Sequence, residues 1–403
     1  MELLAPAGGP EQLRQALHFG ADAVYLAGPR WGMRAGAHNF SDDELARAVA
    51  AAHAAGAAVH LALNVVMTDE DIDLLPHYLR FIDETGVDAV IVSDLGALSL
   101  VREHAPHVAP HLSTQASCMS ARTADEYARL GVRRVVLARE MTLNQIAGLR
   151  RRCTAELELE VFAHGSLCMA YSGRCLLSSE LTGGTRPASR GACAQPCRWG
   201  WSLVEDRDPS RPIPVEQDAH GSYLLSSNDL CMIEHVGELA AAGVDALKLE
   251  GRAKGSYYVA AVTNAYRHVL DGADPAPWRA ELDRVSHRPY STGFFFGAPA
   301  QNPGRVDYAR DRTMVAVVKA CTPLGGPQDG YLVEVTCRNK AHEGDELCAL
   351  SPASDVRALA LRGLERWEPA EGRWVPSEEL SRNGASYRLR APFSLALLDL
   401  LCR

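Results

Sequence analysis

The chain has 403 residues, eleven cysteines and a formal net charge of −9 at pH 7. That length is enough for two or three ordinary domains, or for one large parallel α/β barrel with a smaller domain beside it. The negative charge excludes a general basic field that would wrap long stretches of nucleic acid, although a local group of arginines can still receive one RNA loop.

The first residues lack the basic start and long apolar core of a signal peptide, and no apolar run reaches membrane-spanning length. We therefore expect a cytoplasmic protein without a membrane partner. Because thiols stay reduced in that compartment, the cysteines predict metal ligands or catalysis rather than a disulfide framework.

Short apolar runs alternate with amphipathic segments through residue 252, and this alternation predicts strand followed by helix, repeated. The runs that predict strands are 3–5, 23–26, 58–64, 89–94, 108–115, 135–138, 159–162 and 246–252. Helices are expected at 11–19, 41–54, 70–85 and 123–130, with Ser41 and Thr142 as N-caps. Residues 20–24, 86–90 and 243–247 repeat one device, in which glycine ends a helix and apolar residues start the next strand. Eight such strands favour a TIM-like (β/α)8 barrel over an open sheet.

Active sites of such barrels lie where the strands end and the following loops begin. The polar residues at the predicted strand ends are Asn64, Ser93, Asp94, Ser113, Gln115, Arg139, Glu140, His164, Glu250 and Arg252. Alternation places Lys248, Glu250 and Arg252 on one face of the last strand. Either Lys248 and Glu250 belong to a reactive site, or they form an ion-pair network that closes the barrel. Both interpretations stay open.

A cysteine-rich segment, 165–231, interrupts the pattern after His164. Its cysteines are Cys168, Cys175, Cys193, Cys197 and Cys231, spaced C-x6-C-x17-C-x3-C-x33-C. This spacing matches neither the paired C-x2-C of structural zinc sites nor the run found in bacterial ferredoxins, so an iron–sulfur cluster, a zinc ion and reactive thiols all remain open. Five thiols for four ligand positions leave one spare. The arginines that share the segment, and that can neutralise phosphates or carboxylates, are Arg174, Arg186, Arg190 and Arg198.

From residue 311 the composition changes to short alternating runs punctuated by glycine and proline, such as 314–318, 331–335 and 386–390. These runs predict a separate small C-terminal β-barrel. The expected division is therefore a barrel domain at 1–305 and a β-domain at 311–403. Residues 339–347 look like the strand entry of a translation-factor-like barrel, which would hold RNA or brace the larger domain.

The motif at 160–178, EVFAHGSLCMAYSGRCLLS, resembles the signature of the collagenase-like peptidase family U32. The likeness extends to 2–8, 191–199, 227–231 and 248–252, and with the C-terminal β-domain it covers essentially the whole chain. The length and that domain are most similar to RNA-hydroxylating members, which make 5-hydroxyuridine at the wobble position of tRNA with prephenate instead of dioxygen. Other members hydroxylate a ribosomal RNA cytidine or the ubiquinone ring.

The resemblance implies a 4Fe-4S cluster held by four cysteines, which correspond to Cys168, Cys175, Cys193 and Cys197. Cys231 is present in some members and absent from others, so it is an alternative fourth ligand to Cys197. Zinc remains the alternative metal.

The expected activity is O2-independent hydroxylation of a tRNA anticodon loop, whose target base can leave its stack easily, with an unknown electron donor as partner. The expected catalytic residues are His164, Glu250 and Arg252, with His164 and Glu250 moving protons. Arg139, Arg174 and Arg198 are expected to bind substrate, namely the carboxylates of the donor or the phosphates of the RNA.

Two other functional classes compete with this hypothesis. A peptidase is suggested by the family name, but the sequence has no H-E-x-x-H or G-x-S-x-G motif, and only a His164–Cys168 dyad would serve it. A zinc-stabilised RNA-binding scaffold would hold metal without redox activity.

Overall fold

The structure is a computed structural model that describes residues 1–168, 170–171, 174–199, 202–205, 208–214, 228–297, 311–325, 329–352 and 354–403. For residues 198, 202–205, 208–214 and 354 it describes the backbone only. Seven parallel strands follow one another around a barrel wall. They are β1 (Glu2–Pro6), β2 (Ala23–Leu26), β3 (Ala58–Leu63), β4 (Ala89–Val92), β5 (Ala109–Leu112), β6 (Arg134–Val136) and β7 (Glu158–Ser166).

Six helices connect these strands. They are α1 (Pro10–His18), α2 (Asp42–Ala54), α3 (Asp69–Thr85), α4 (Leu95–His104), α5 (Ala121–Arg129) and α6 (Leu143–Arg150). The predicted caps Ser41 and Thr142 are confirmed, and each forms a reciprocal capping box with the residue three positions on, as Thr68 also does. A cap of this kind contributes about 1 kcal/mol to helix stability.

The repeated helix-to-strand device has a second component, an aspartate two residues after the glycine. Gly86 has a φ of 84°, a left-handed conformation that glycine adopts without steric cost, and it caps α3. The carboxylates of Asp22, Asp88 and Asp245 then accept the backbone N–H of a residue on a neighbouring strand, at 2.7 to 2.8 Å. The device therefore ends the helix and ties the start of each strand to its neighbour.

The chain closes the barrel only after a long insertion. The elements after β7 are α7 (Leu177–Leu181), β8 (Ser202–Glu205), β9 (Asp208–Pro214), β10 (Asp229–Cys231), α8 (Val236–Ala241), β11 (Ala246–Leu249), α9 (Ser256–Leu270), α10 (Pro275–Leu282) and β12 (Tyr290–Ser291). Strand β11 pairs in parallel with both β7 and β1, which makes it the eighth strand of the barrel. Strand β10 runs antiparallel to the end of β7, and β12 lies beside β10. The predicted TIM-like barrel with its cysteine-rich insertion is confirmed.

Alternate residues of each barrel strand face opposite sides of the wall. The outer residues, such as Leu3 and Val24, join the main core against the helices. The inner residues Leu4, Tyr25 and Ile91 belong to a small separate apolar cluster. Side chains therefore fill the inside of the barrel, so a functional site is expected at one of its two ends.

The C-terminal part is antiparallel. Its strands are β13 (Met314–Pro323), β14 (Tyr331–Cys337), β15 (Ala341–His342), β16 (Glu346–Ser351), β17 (Ser354–Ala360), β18 (Arg362–Glu368), β19 (Arg373–Pro376), β20 (Glu379–Leu380), β21 (Ser386–Ala391) and β22 (Leu400–Cys402). Eight of them form one sheet in the order β17-β16-β22-β13-β14-β21-β18-β19, and β15 pairs with β20. The predicted C-terminal β-region is confirmed, although no ladder among the described residues joins β17 to β19.

This β-region has its own apolar core and also packs against the barrel. Val317, Leu350 and Leu400 join the main core of the barrel domain. His18 on α1 lies 2.9 Å from Asp399, so the contact includes a polar pair. The expected boundary between 305 and 311 lies at residues outside the described part of the chain. Within the described part, no helix is both long and apolar enough to cross a membrane.

Candidate active site at the barrel mouth

A cleft of about 450 Å³, including its opening, lies at the carboxyl ends of the barrel strands. Its polar and aromatic lining comes from Tyr25, Arg34, Asn64, Ser113, Thr114, Gln115, Arg139, Phe162, Lys248, Glu250 and Arg252. Six of the polar strand-end residues predicted from the sequence, and the face shared by Lys248, Glu250 and Arg252, thus meet in one place. We call this the mouth cleft.

Glu250 is the anionic centre of the mouth cleft. Arg34 Nη2 lies 3.0 Å and Arg139 Nη2 lies 3.7 Å from its carboxylate. Burial raises the pKa of Glu250, but the charges of Arg34, Arg139 and Arg252 outweigh burial, so the pKa lies below its ordinary value. The carboxylate is therefore ionised near neutral pH. An ionised carboxylate can hold the arginines in position, but it has no proton to donate as a general acid.

Two arginines of the mouth cleft retain donors that no described residue accepts. Arg252 is 3% exposed, and its Nη1 is buried without a hydrogen-bond partner among the described residues. The Nε of Arg139 is also buried without a hydrogen-bond partner among the described residues, although its Nη1 donates to the carbonyl of Ser166 at 2.8 Å. Burial lowers the pKa of Arg252 to about 10, so it still carries its charge at pH 7. Buried donors of this kind are expected to find a partner, and a bound anion would supply one.

Lys248 fits the ion-pair interpretation. Its Nζ lies 2.8 Å from Glu160, and both side chains are buried inside the barrel below the mouth cleft. The same ammonium lies 4.4 Å from the centre of the Tyr25 ring. Because its charge is already matched, Lys248 forms part of the floor of the cleft.

His164 does not reach the mouth cleft. A β-bulge shifts the pairing of β7 with β11 between Phe162 and His164, and this shift turns the imidazole towards α9. Its ring packs among Tyr258, Tyr266 and Tyr290, and its Nε2 lies 3.4 Å from the Tyr290 hydroxyl. Burial lowers the pKa of His164 to about 3, so it is neutral at pH 7. His164 therefore lies apart from Glu250 and Arg252, and its role in proton transfer stays a prediction.

The cysteine-rich segment is clamped onto the rim of the mouth cleft. Arg190 binds Asp71 through two hydrogen bonds of 2.6 and 3.1 Å, and Trp31 donates to the same carboxylate at 2.9 Å. The hydrogen bonds with Arg190 and Thr68 outweigh burial and hold the pKa of Asp71 well below its ordinary value. Gly191 packs against the backbone of Gly32 and Met33, which precede Arg34. Arg190 is thus a structural clamp, which is a role that its position among cysteines did not reveal.

Four thiols lie within this clamped region. Cys168 follows the end of β7 and is exposed, and its charge would act on Arg34 and Arg139 of the mouth cleft. Cys175, Cys193 and Cys197 are half-buried. They lie around α7, where the Ser178 hydroxyl accepts the N–H of Ala194 at 2.8 Å. All eleven cysteines lie among the described residues, and none forms a disulfide.

Sulfur ligands in this number suit an iron–sulfur cluster or zinc. A tetrahedral zinc ion with bonds of about 2.3 Å would hold its thiolates roughly 3.8 Å apart. Among the described residues, no three thiol sulfurs lie within 4.8 Å of one another. The thiol sulfurs among the described residues are therefore too far apart to form a four-cysteine zinc site without moving.

Cys231 lies apart from these thiols. It is buried on β10, opposite His164, and burial raises the pKa of its thiol to about 11. The ionisable groups that act on its pKa include Tyr266 on α9 and Arg279 on α10. Cys197, which lies close to α7 in the clamped segment, therefore stays the predicted fourth ligand, with Cys231 as the alternative.

Comparison with known proteins gives the family. The family model described as "Peptidase family U32" matches residues 8–304. The chain belongs to peptidase family U32. It is 35% identical to the tRNA hydroxylation protein P1 of Bacillus subtilis, over 87% of this chain and 83% of the relative. It is 32% identical to the tRNA hydroxylation protein P of Escherichia coli, over 93% and 90%, and 33% identical to a collagenase of Porphyromonas gingivalis, over 73% of each chain.

In this U32 chain, the structure assembles some predicted residues and leaves others out. Glu250, Arg252 and Arg139 meet in the mouth cleft, whereas Arg174 is exposed outside its lining. The side chain of Arg198 lies outside the described part of the chain. Arg34 was missed, and the available signal was an arginine in the long loop between β2 and α2, at the active end of the barrel.

Proposed function

We propose that the chain is an RNA hydroxylase that forms 5-hydroxyuridine at the wobble position of tRNA, with prephenate as oxygen donor and without dioxygen. The observation that carries the proposal is a cleft with unpartnered arginine donors beside a clamped four-thiol segment. Two relatives that cover most of this chain are named as tRNA hydroxylation proteins.

The charge of the mouth cleft fits a small dicarboxylate. Among its described lining residues, Arg34, Arg139 and Arg252 face the single carboxylate of Glu250, because Lys248 is matched by Glu160. This leaves an excess of two positive charges, equal to the charge of two carboxylates. The free donors of Arg139 and Arg252 would bind the carboxylates, and Glu250 would hold Arg34 and Arg139 in place.

The cysteine-rich segment offers surfaces for an unpaired RNA loop. Tyr171 and Trp199, from the cysteine-rich segment, are 46% and 43% exposed. Exposed aromatic rings stack on splayed bases, at about 1–3 kcal/mol per base. A single-stranded anticodon loop can present such a base at low unstacking cost.

The four thiols of Cys168, Cys175, Cys193 and Cys197 would hold a 4Fe-4S cluster. Such a cluster supplies the electron-transfer capacity that pyrimidine hydroxylation needs and that zinc lacks. The chain's own contribution is to clamp the segment through Arg190 and Asp71, so that Cys168 stays beside the arginines of the cleft.

The proposal sets aside a peptidase built on a His164–Cys168 dyad. A Cys–His dyad would need a hydrogen bond between His164 and Cys168. The Nδ1 of His164 is buried without a partner among the described residues, and its Nε2 faces Tyr290. Because its pKa is lowered to about 3, the imidazole is also too weak a base to accept a proton near pH 7.

The test is complementation in cells that lack their own tRNA uridine hydroxylases. Wild-type chain should restore 5-hydroxyuridine in digested tRNA, as measured by mass spectrometry, whereas Arg252→Met should not. Arg47→Met, on the exposed face of α2, controls for the loss of one arginine. Absence of the modified base with soluble wild-type chain, together with cleavage of denatured collagen by that chain, would contradict the proposal in favour of a peptidase.

A further inference from the structure

The amino-terminal end of the barrel contains a cluster of metal-ligating side chains. His60, His111 and Glu160 point into the barrel, since Leu61 and Leu112 beside them belong to the outer core. One ligand atom from each of the three lies within 4.8 Å of the others. All three side chains are buried, with Glu160 fully inaccessible.

The two imidazoles have free ligand atoms. The Nδ1 atoms of His60 and His111 are buried and have no hydrogen-bond partner within the described part of the chain. Their rings meet edge to face with centroids 4.8 Å apart. A purely structural pair of buried histidines would be expected to use these nitrogens in hydrogen bonds.

An open cavity of about 770 Å³, including its opening, reaches this cluster from the surface at the amino ends of the strands. His60 and His111 line its inner end, and Asp88 and Arg133 lie nearer the strand starts. The cavity gives an ion a route of entry and leaves space for a water molecule or ligand beside it.

The charge around the cluster also suits a divalent cation. The carboxylates in and next to the cavity are Glu2, Asp88, Glu156, Glu158 and Glu160, and the cations are Arg133, Arg134 and Lys248. The excess of two negative charges equals the charge of one divalent ion. Glu160 already accepts Lys248 at 2.8 Å and Arg134 at 3.3 Å, but a carboxylate has about four lone-pair sites and can still bind a metal.

We propose that His60, His111 and Glu160 form a second metal site, independent of the cysteine-rich segment, that binds a borderline divalent ion such as Zn²⁺. Two imidazoles and one carboxylate are a frequent zinc ligand set with an open fourth position. In this barrel the open position faces the cavity.

The test uses full-length chain in which Cys168, Cys175, Cys193 and Cys197 are serine, so that the mouth thiols cannot bind the probe. After chelator treatment it is titrated with Co²⁺, and visible absorption reports the ligands. We expect one Co²⁺ per chain without the near-ultraviolet band of thiolate ligation. His111→Gln in the four-serine chain should weaken Co²⁺ binding by at least about 100-fold. Removal of a residue that only hydrogen-bonds to a metal ligand costs about 10- to 100-fold, and loss of a ligand itself should cost more. His77→Gln, on the exposed surface, is the matched control.

A measurement without histidine variants guards against misfolding. X-ray absorption of the zinc-loaded four-serine chain should show two imidazoles and oxygen ligands, with no sulfur. Folding of each variant is checked by circular dichroism. If the four-serine chain binds no metal, or if zinc in it lacks imidazole ligands, the proposed site does not exist. Equal binding by folded His111→Gln and His77→Gln would overturn it as well.

Discussion

Gly191 provides the sharpest test of how the cysteine-rich segment docks on the barrel. It has a φ of 77°, and a Cβ added there would lie 2.7 Å from the carbonyl oxygen of Gly32 and 2.8 Å from the carbonyl carbon of Met33. Both contacts are with backbone, which cannot turn aside as a flexible side chain can. Gly191→Ala therefore combines left-handed strain of about 1–2 kcal/mol with an overlap that costs about 1–3 kcal/mol.

Gly184→Ala is a matched control, because Gly184 has a φ of 82° in the same segment and a Cβ there meets nothing within 4 Å. The control has the left-handed strain without the overlap. The difference of about 1–3 kcal/mol predicts that the docked segment of Gly191→Ala opens about 5- to 150-fold more often than that of Gly184→Ala.

Hydrogen exchange measures this opening. The N–H of Val66 donates to the carbonyl of Ser189 at 3.1 Å, and the N–H of Ala35 donates to that of Gly191 at 3.4 Å. Both amides should exchange faster in Gly191→Ala than in Gly184→Ala, while amides of the C-terminal sheet should not change. Identical exchange in the two variants would refute the docking described here.

Three further predictions concern the mouth cleft and its surroundings. Arg252→Met should weaken binding of a dicarboxylate by about 10- to 150-fold in calorimetry, because a hydrogen bond to a charged group is worth about 1.5–3 kcal/mol, and exposed Arg47→Met should not. The pKa of His164, about 3 in the folded chain against about 6.5 unfolded, stabilises the fold above pH 6.5, and this contribution is lost as the pH falls towards 3. Between pH 6 and 4 the unfolding free energy of wild type should therefore fall about 1.4 kcal/mol per pH unit more steeply than that of His164→Gln, and equal slopes in urea titrations would count against the buried neutral imidazole. Serine at Cys168, Cys175, Cys193 or Cys197 should each abolish iron and sulfide binding after anaerobic reconstitution, whereas Cys231→Ser should retain it, and the opposite result for Cys197 and Cys231 would exchange their roles.

The sequence predicts the barrel well because its two signals are local. Apolar runs define each strand, and Gly86 and its counterparts end the helices before them. The aspartates of the same device, such as Asp88, were not recognised, since their function is to bind the backbone of a neighbouring strand. That contact exists only once the strands have paired.

The mouth cleft is predictable in part for the same reason. Glu250 and Arg252 alternate along one strand, so their common face can be inferred from spacing. The position of His164 outside the lining of the mouth cleft could not be predicted, because the bulge in β7 cannot be read from alternation. Arg34 was missed because a loop, rather than a strand, brings it to Glu250. His60 stood alone in an apolar run, and its cluster appears only when the alternate strands β3, β5 and β7 curve around the inside of the barrel.

The central claim is that this chain hydroxylates RNA through the mouth cleft, and one measurement in vitro tests it most directly. Purified chain, reconstituted anaerobically with iron and sulfide, is incubated with unmodified tRNA, prephenate and a chemical reductant such as dithionite in place of the electron donor, and the digested nucleosides are analysed by mass spectrometry. We predict the gain of one oxygen atom on the wobble uridine, dependent on prephenate and absent with Arg252→Met. Unmodified uridine from cluster-loaded, folded wild-type chain that binds the tRNA would contradict the account.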